Sequence, residues 1–230
     1  MAKSTYLQLC QATKRACSIP GSDPSTVTGQ TLQMGKIIEF VALADLEVQG
    51  KWFDWDFLHV STWSASTVIG TAAVSAPTTI GVWDENSFYL DYSTNNYKRL
   101  PVLKHKDWRA NYRQGVKVAQ QPSHIVIMPN LSLTLEPKPD AVYSLTADYW
   151  ACPVKMTVDA NTSPIPEEYE RIIVARAKVM YGEDIAAADL IVAGQNEHDD
   201  LLDKLEAKYL PGQNRTRRSS DAGMIIVRPE

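Results

Sequence analysis

Two carboxylates, Asp54 and Asp56, flank Trp55 in the run KWFDWDFL, and paired carboxylates are one arrangement that supports general acid–base chemistry. Exposed acids beside buried aromatics explain the same pattern. A second acidic group, Asp199, Asp200 and Asp203, falls on a predicted helix, where a solvated face is the simpler interpretation. The sequence contains no GxSxG motif, no phosphate-binding glycine loop and no Rossmann fingerprint. We therefore predict that the protein is not an enzyme.

The histidines and cysteines do not have the spacing of metal ligands. No histidine stands in an HxH, HExxH or CxxC context, so we predict no metal and no cofactor. Cys10 and Cys17 are seven residues apart, roughly 10 Å along a helix. That distance exceeds the roughly 7 Å limit for a disulfide. We expect these two and Cys152 to be free thiols in buried apolar positions, as in a reducing compartment.

The C-terminal stretch 211–230 carries the most distinctive charged feature of the chain. A group of arginines precedes a short apolar run, in a stretch with no pattern long enough to fold alone: Arg215, Arg217 and Arg218, then Met224, Ile225, Ile226 and Val227. Solvated disorder is one interpretation. The other is a partner-binding segment, whose apolar run adds to a sheet edge or fills a groove while the arginines meet acidic groups. Whether the arginines face a protein or DNA phosphate stays open.

Helical periodicity marks both ends of the chain. A short amphipathic helix is predicted over 4–17, and a broad apolar stripe over residues 30–50 predicts a longer helix that ends at Gly50. A dense aromatic run, Trp52 to Trp63, follows this helix, and we expect it to pack in the core where the chain turns. Near the C-terminus, Pro166 opens a third helix that Gly182 is expected to break, and a fourth runs from about Glu183 to Tyr209.

The middle of the chain has strand character. Small and β-branched residues predict strands near 67–73, 79–83 and 87–92, and residues 102–112 predict a short helix. Residues 123–158 predict an antiparallel meander with one buried face. The expected fold class is α+β. Terminal helices (1–50 and 163–210) form a bundle, an antiparallel β portion with a short helix (51–162) is inserted, and an extended tail (211–230) follows.

Composition narrows the function further. The net charge of −4 argues against a general DNA-binding protein, and no apolar run approaches the roughly 20 residues that span a membrane. The N-terminus lacks the apolar core of a signal peptide, so we expect assembly in a cytoplasm.

The order of the motifs resembles a known family. TVTGQTLQMGKIIEFVALADLEVQGKWFDWDFL is followed by LTLEPKPDAVYSLTADYWACPVKM, then by SPIPEEYERIIVARAKVMYGED and LDKLEAKYLPG. This succession is similar to that of the head-to-tail adaptors, the head-completion or connector proteins of tailed bacteriophages. The resemblance covers nearly the whole chain.

The resemblance implies a structural protein of the virion neck. Such adaptors form a ring beneath the portal, usually of twelve copies, after DNA packaging. The ring extends the channel through which genomic DNA passes and docks tail or nozzle proteins. The C-terminal segment commonly binds the portal, which would make the tail residues named above the portal-binding site. Alternatives are another tail-completion or tail-tube protein, or a carbohydrate-binding or hydrolytic module that uses the aromatics with Asp54 and Asp56.

Overall fold

The computed structural model describes residues 3–93, 96–114 and 118–210. Its elements follow in chain order: α1 (Tyr6–Ala16), α2 (Leu32–Gly50), β1 (His59–Ser66), β2 (Ala73–Val74), β3 (Ile80–Trp83), β4 (Tyr89–Ser93), β5 (Asn96–Arg99), α3 (His105–Asn111), β6 (His124–Ile127), β7 (Leu133–Glu136), β8 (Ser144–Ala151), α4 (Arg171–Asp184) and α5 (Ala188–Tyr209). The mixed content confirms the predicted α+β class.

The chain divides into two compact units. Among the described residues, the helical unit contains Lys3–Phe57 and Pro153–Leu210, and the β unit lies within Leu58–Cys152. The predicted tail, 211–230, lies outside the described residues.

The helical unit joins helices from both ends of the sequence. α1 and α2 each pack against α4, and α4 packs against α5. Apolar side chains at helical spacing fill the interior, among them Ile37, Val41, Ile172, Ile173 and Leu205, each with no exposed surface. α1 begins with a capping box in which Thr5 and Gln8 satisfy each other's backbone N–H groups.

Gly182 does not break a helix, contrary to the prediction. It lies inside α4, where an added Cβ would come within 2.9 Å of the Ile191 side chain. The bend falls instead at Ala186, whose φ of 54° is left-handed. The glycine therefore allows close contact between α4 and α5 rather than marking a stop.

The β unit contains two antiparallel sheets. β8 is the central strand of the larger sheet: β1 pairs along one side, and β4 and β3 pair along the other, with β5 beyond β4. The smaller sheet has the order β2–β7–β6. Residues of both sheets share one core, which includes Trp83, Phe88, Leu133 and Leu145.

The predicted meander over 123–158 is wrong in one respect. β6 and β7 form the expected hairpin, but β8 joins the other sheet. The alternation in each strand is present, with Leu133 and Leu135 buried. Alternation identifies the buried face of a strand without identifying its neighbour, which explains both the success and the error. The strand expected at 67–73 is also displaced, because β1 occupies 59–66.

All three cysteines are free thiols. Burial raises the pKa of Cys10 to about 12 and that of Cys17 to about 11, so both are poorly reactive. Cys152 is exposed, which corrects the expectation that it is buried.

Lys14 is a buried lysine that holds the loop between α1 and α2. The residue is only 3% exposed, and its ammonium donates to the backbone oxygens of Gly21 and Ser22 and lies 3.4 Å from Asp23 Oδ1. The loop carbonyls thus depend on one charged donor.

We expect Lys14→Met to lower the free energy of unfolding by about 2 kcal/mol, since it leaves these carbonyls without their charged donor. Urea unfolding measures the change. Arg15→Ala, at the neighbouring exposed position, should change stability by less than about 0.5 kcal/mol. Equal effects of the two substitutions would contradict the role given to Lys14.

Candidate assembly interface

The C-terminal end of α5 is attached to the segment that precedes α4. Tyr209 Oη donates a 3.0 Å hydrogen bond to Glu168 Oε1, and Lys208 Nζ donates to the same oxygen. The Tyr209 ring meets the rings of Phe57 and Tyr169 edge-on, with centroids 6.1 and 6.0 Å away. The hydrogen bond from Lys208 lowers the pKa of Glu168. These contacts fix the C-terminal end of α5, which precedes Leu210.

An open groove of about 1230 Å³ lies between α1 and residues 166–174. Apolar side chains line part of it: Leu9, Ala12, Ala16, Pro166 and Val174. Its polar lining includes Glu167, Glu168, Arg15 and Arg171. Arg171 pairs with Glu197, and Arg15 Nε donates to the backbone oxygen of Gln11. The groove therefore joins an apolar surface to the carboxylates where α5 ends.

Buried polar groups hold residues 163–170, which carry part of this groove. Ser163 Oγ donates to Asp45 Oδ1 at 2.6 Å, and Gln49 donates to the other oxygen of Asp45 at 2.7 Å. Glu170, also buried, accepts the backbone N–H of Ser4 at 2.9 Å. Asp45 has no exposed surface, and burial raises its pKa above the ordinary value for an aspartate.

This raised pKa predicts a pH-dependent stability. The folded state favours protonated Asp45, so its contribution is present at low pH and is lost as pH rises from about 4, the unfolded value, through the folded pKa. The stability of the natural protein relative to Asp45→Asn should fall over that range, by about 1.4 kcal/mol per unit of pKa elevation. Urea unfolding at several pH values measures it.

Asp199→Asn provides a control of opposite sign. His198 lowers the pKa of the exposed Asp199, so stability relative to this variant should rise with pH, and only slightly because solvent screens the pair. The same slope for both substitutions would be inconsistent with a buried Asp45 that favours its neutral form.

The acids considered for catalysis occupy ordinary positions. Asp56 is exposed and begins a 3₁₀ turn, while Asp54 is half-buried with its Oδ1 lacking a hydrogen bond among the described residues. On α5, Asp200 pairs with Lys204 one turn away, and Asp203 is exposed. Within the described ranges, His, Cys, Asp and Glu side chains form no group of three that is able to hold a metal ion.

The aromatic run after α2 is divided between core and surface. Trp55 is fully buried, and its indole donates to the backbone oxygen of Val48 at 3.2 Å. Trp52 donates to Glu206 at 3.0 Å, whereas Phe53 is 64% exposed. Trp63 belongs to the β unit, where its ring meets Trp83. Trp55 thus lies in the interior of the helical unit and Trp63 packs against the core of the β unit, as the core interpretation predicts, while Phe53 lies at the surface.

The portal-binding residues predicted from the sequence lie outside the described residues: Arg215, Arg217, Arg218, Met224, Ile225, Ile226 and Val227. Their assignment stays a prediction.

One surface was missed by the sequence analysis. On the β4–β5 ribbon, Tyr89 pairs with Arg99 and Asp91 pairs with Tyr97, on the face opposite buried Leu90. Tyr89 is 42% exposed and Tyr97 is 61% exposed. Tyrosine and arginine are enriched at protein interfaces. The alternation of Tyr89, Leu90 and Asp91 was the available signal.

The model of one protein family, described as SU10 adaptor protein, matches residues 4–225. The chain belongs to this family. It is therefore a phage head-to-tail adaptor, as the order of the motifs indicated. No curated protein matches the chain.

Membership of the adaptor family assigns a structural role in the phage particle. It favours neither a carbohydrate-binding nor a hydrolytic module, since this is a family of structural phage proteins. Among the described residues, no helix is long and apolar enough to cross a membrane.

Proposed function

We propose that the protein forms a ring beneath the portal in the virion neck, extends the DNA channel and docks tail or nozzle proteins. The observation that carries this proposal is the family match over residues 4–225, which spans both units and most of the C-terminal segment. Twelve copies form the ring, which assembles in the host cytoplasm. Genomic DNA passes through it, and the net charge of −4 limits retention of the DNA.

We assign a different contact to each of the two units. The Tyr89–Tyr97 face of the β unit offers exposed aromatic and charged groups for a tail protein. In the helical unit, Ala186 and Ala188 are exposed on and beside the α4–α5 bend, and Val192 is 59% exposed on α5. Small side chains permit close approach, so we assign this end of α5 to the lateral contact between copies.

The portal anchor is the C-terminal segment. Its apolar run, Met224–Val227, fills a groove or extends a sheet of the portal, and its arginines orient it against acidic groups. Leu210, the last described residue, follows the end of α5 that Glu168 holds through Lys208 and Tyr209, so the segment begins at a fixed point of the helical unit.

The decisive experiment is co-sedimentation with purified portal. The full chain should bind, and a chain truncated after Gly212 should lose at least tenfold in affinity while its circular dichroism stays that of a folded protein. Substitution of all four apolar residues, Met224–Val227, by serine should have a similar effect. Unchanged affinity of the truncated chain would refute the anchor.

Salt separates the two roles of the arginines. Arg215→Gln, Arg217→Gln and Arg218→Gln combined should weaken portal binding mainly at low ionic strength if the arginines meet portal carboxylates. If they contact DNA instead, this variant should bind portal normally and lose retention on double-stranded DNA.

Electron microscopy tests the ring. Portal incubated with the full chain should show an added ring of twelve subunits, and light scattering of the protein without portal should show a monomer. Stable dodecamers without portal would contradict assembly on a portal template. Ala188→Arg should prevent ring closure, while Ala160→Arg, at an exposed turn, provides the matched control.

A further inference from the structure

The groove between α1 and residues 166–174 has the features of a peptide-binding site. Its apolar part is formed by Leu9, Ala12 and Val174, and its acidic part by Glu167 and Glu168. Peptides that occupy such grooves combine an apolar run with complementary charge. The position of the C-terminal end of α5 indicates which peptide lies close to this groove.

The C-terminal end of α5 lies at this groove. Glu168 lines the groove and accepts hydrogen bonds from Lys208 and Tyr209, the last two residues of α5. Residues 211–230 therefore begin within a few residues of the acidic part. Seventeen residues, 211–227, reach at most about 60 Å, whereas the eleven residues of α1 extend about 16 Å. The segment is therefore long enough to extend along the groove.

The charged and apolar residues of the segment occur in the same order as the acidic and apolar parts of the groove, counted from the end of α5. Three arginines, at 215, 217 and 218, come first and would meet Glu167 and Glu168 near the exit point. A carboxylate accepts several N–H donors, so Glu168 can bind an arginine in addition to Lys208 and Tyr209. The apolar run, Met224–Val227, comes next and corresponds to the apolar surface. Arg171 pairs with Glu197 and Arg15 lies 4.0 Å from Asp23, so carboxylates offset part of the positive charge of both arginines.

We propose that this groove binds the chain's own C-terminal segment, residues 213–227, in the free subunit. A short connection within one chain gives the segment a millimolar effective concentration at the groove, which favours the chain's own segment over that of a second copy. The apolar run is thereby covered until a partner displaces it. The inference goes beyond portal binding and is measured without portal, so either can fail while the other stands.

Paramagnetic relaxation in the full-length protein tests the proposal. A nitroxide on Ala222→Cys, in a Cys152→Ser background, leaves the poorly reactive Cys10 and Cys17 unlabelled. The methyl signals of Leu9 and Val174 should be broadened beyond detection, and reduction of the nitroxide should restore them. The Val192 methyls, about 25 Å along α5 from Tyr209, should keep their intensity. Intact Leu9 and Val174 signals would overturn the proposal.

Substitutions in the groove provide a second measurement. Ala12→Trp fills the groove and should abolish the broadening, while Ala193→Trp, on an exposed part of α5, should not. Glu167→Arg should reduce the broadening at least twofold, and adding Arg215→Glu, Arg217→Glu and Arg218→Glu should restore it. Broadening that survives both Ala12→Trp and Glu167→Arg would place the segment elsewhere.

A mixed sample identifies the source of the segment. Isotope-labelled protein without a nitroxide is combined with nitroxide-labelled protein of natural isotope abundance. Undisturbed Leu9 and Val174 signals are expected. Broadening in this sample would show that the groove takes the segment of a second copy, and would overturn the proposal.

Discussion

Trp83→Ala should lower the free energy of unfolding of the β unit by about 3–5 kcal/mol, the largest effect expected from a single substitution here. Trp83 is 3% exposed, and its ring contacts those of Trp63, Phe88 and Tyr149, with centroids 4.8 to 5.7 Å away. Its indole also donates a 2.8 Å hydrogen bond to the Leu131 backbone oxygen. Alanine removes the central ring and leaves a cavity between the two sheets.

Two variants separate the contributions of Trp83. Trp83→Phe keeps an aromatic ring but loses the indole donor, so it should cost about 1–2 kcal/mol. Tyr97→Ala, at an exposed position of the same unit, should change stability by less than about 0.5 kcal/mol. Urea unfolding, monitored by hydrogen exchange of peptides from the β unit, measures the stability of all three variants. A loss of stability below about 1 kcal/mol for Trp83→Ala would contradict the central position of Trp83 in the core.

Gly194→Val should destabilise the helical unit by about 3 kcal/mol. A Cβ at this position would lie 2.8 Å from Val179 Cγ2 and 3.1 Å from the Ala175 backbone oxygen. Backbone atoms on α4 cannot move aside as the end of a long side chain does, so α4 and α5 must separate. Thermal unfolding of the variant should show a lower midpoint, and hydrogen exchange should accelerate in both helices.

Gly50→Ala is the matched comparison. Gly50 also belongs to the helical unit, as the last residue of α2, but an added Cβ there meets nothing within 4 Å. Because alanine has the higher helix propensity, this variant should be as stable as the natural protein or up to about 1 kcal/mol more stable. If both glycine substitutions destabilise equally, loss of backbone freedom rather than close helix packing would be the cause.

Helix positions were predictable because helical periodicity is local. The spacing of apolar residues located α2 and its end at Gly50, and it located α4 and α5 to within a few residues. The role of Gly182 was not predictable, since a glycine that ends a helix and one that lets another helix approach have the same sequence signal. Only the position of Ile191 distinguishes them.

Sheet pairing was the least predictable part of the fold. The alternation in β8 revealed a strand, yet its partners β1, β3 and β4 begin 55 to 85 residues before Ser144, the first residue of β8, at His59, Ile80 and Tyr89. Such pairs are decided by the shared core. The groove between α1 and residues 166–174 was hidden for the same reason, because its two sides are about 150 residues apart in sequence.

The pairing of β1 with β8 also bears on how the chain could change over evolution. His59 is opposite Trp150, so the first and last strands of the β unit bring its two ends to within about 5.5 Å between Cα atoms. An insert whose ends meet can be replaced by another of similar end spacing with little loop-closure cost. The helical unit can thus be retained while the inserted β unit is exchanged for another.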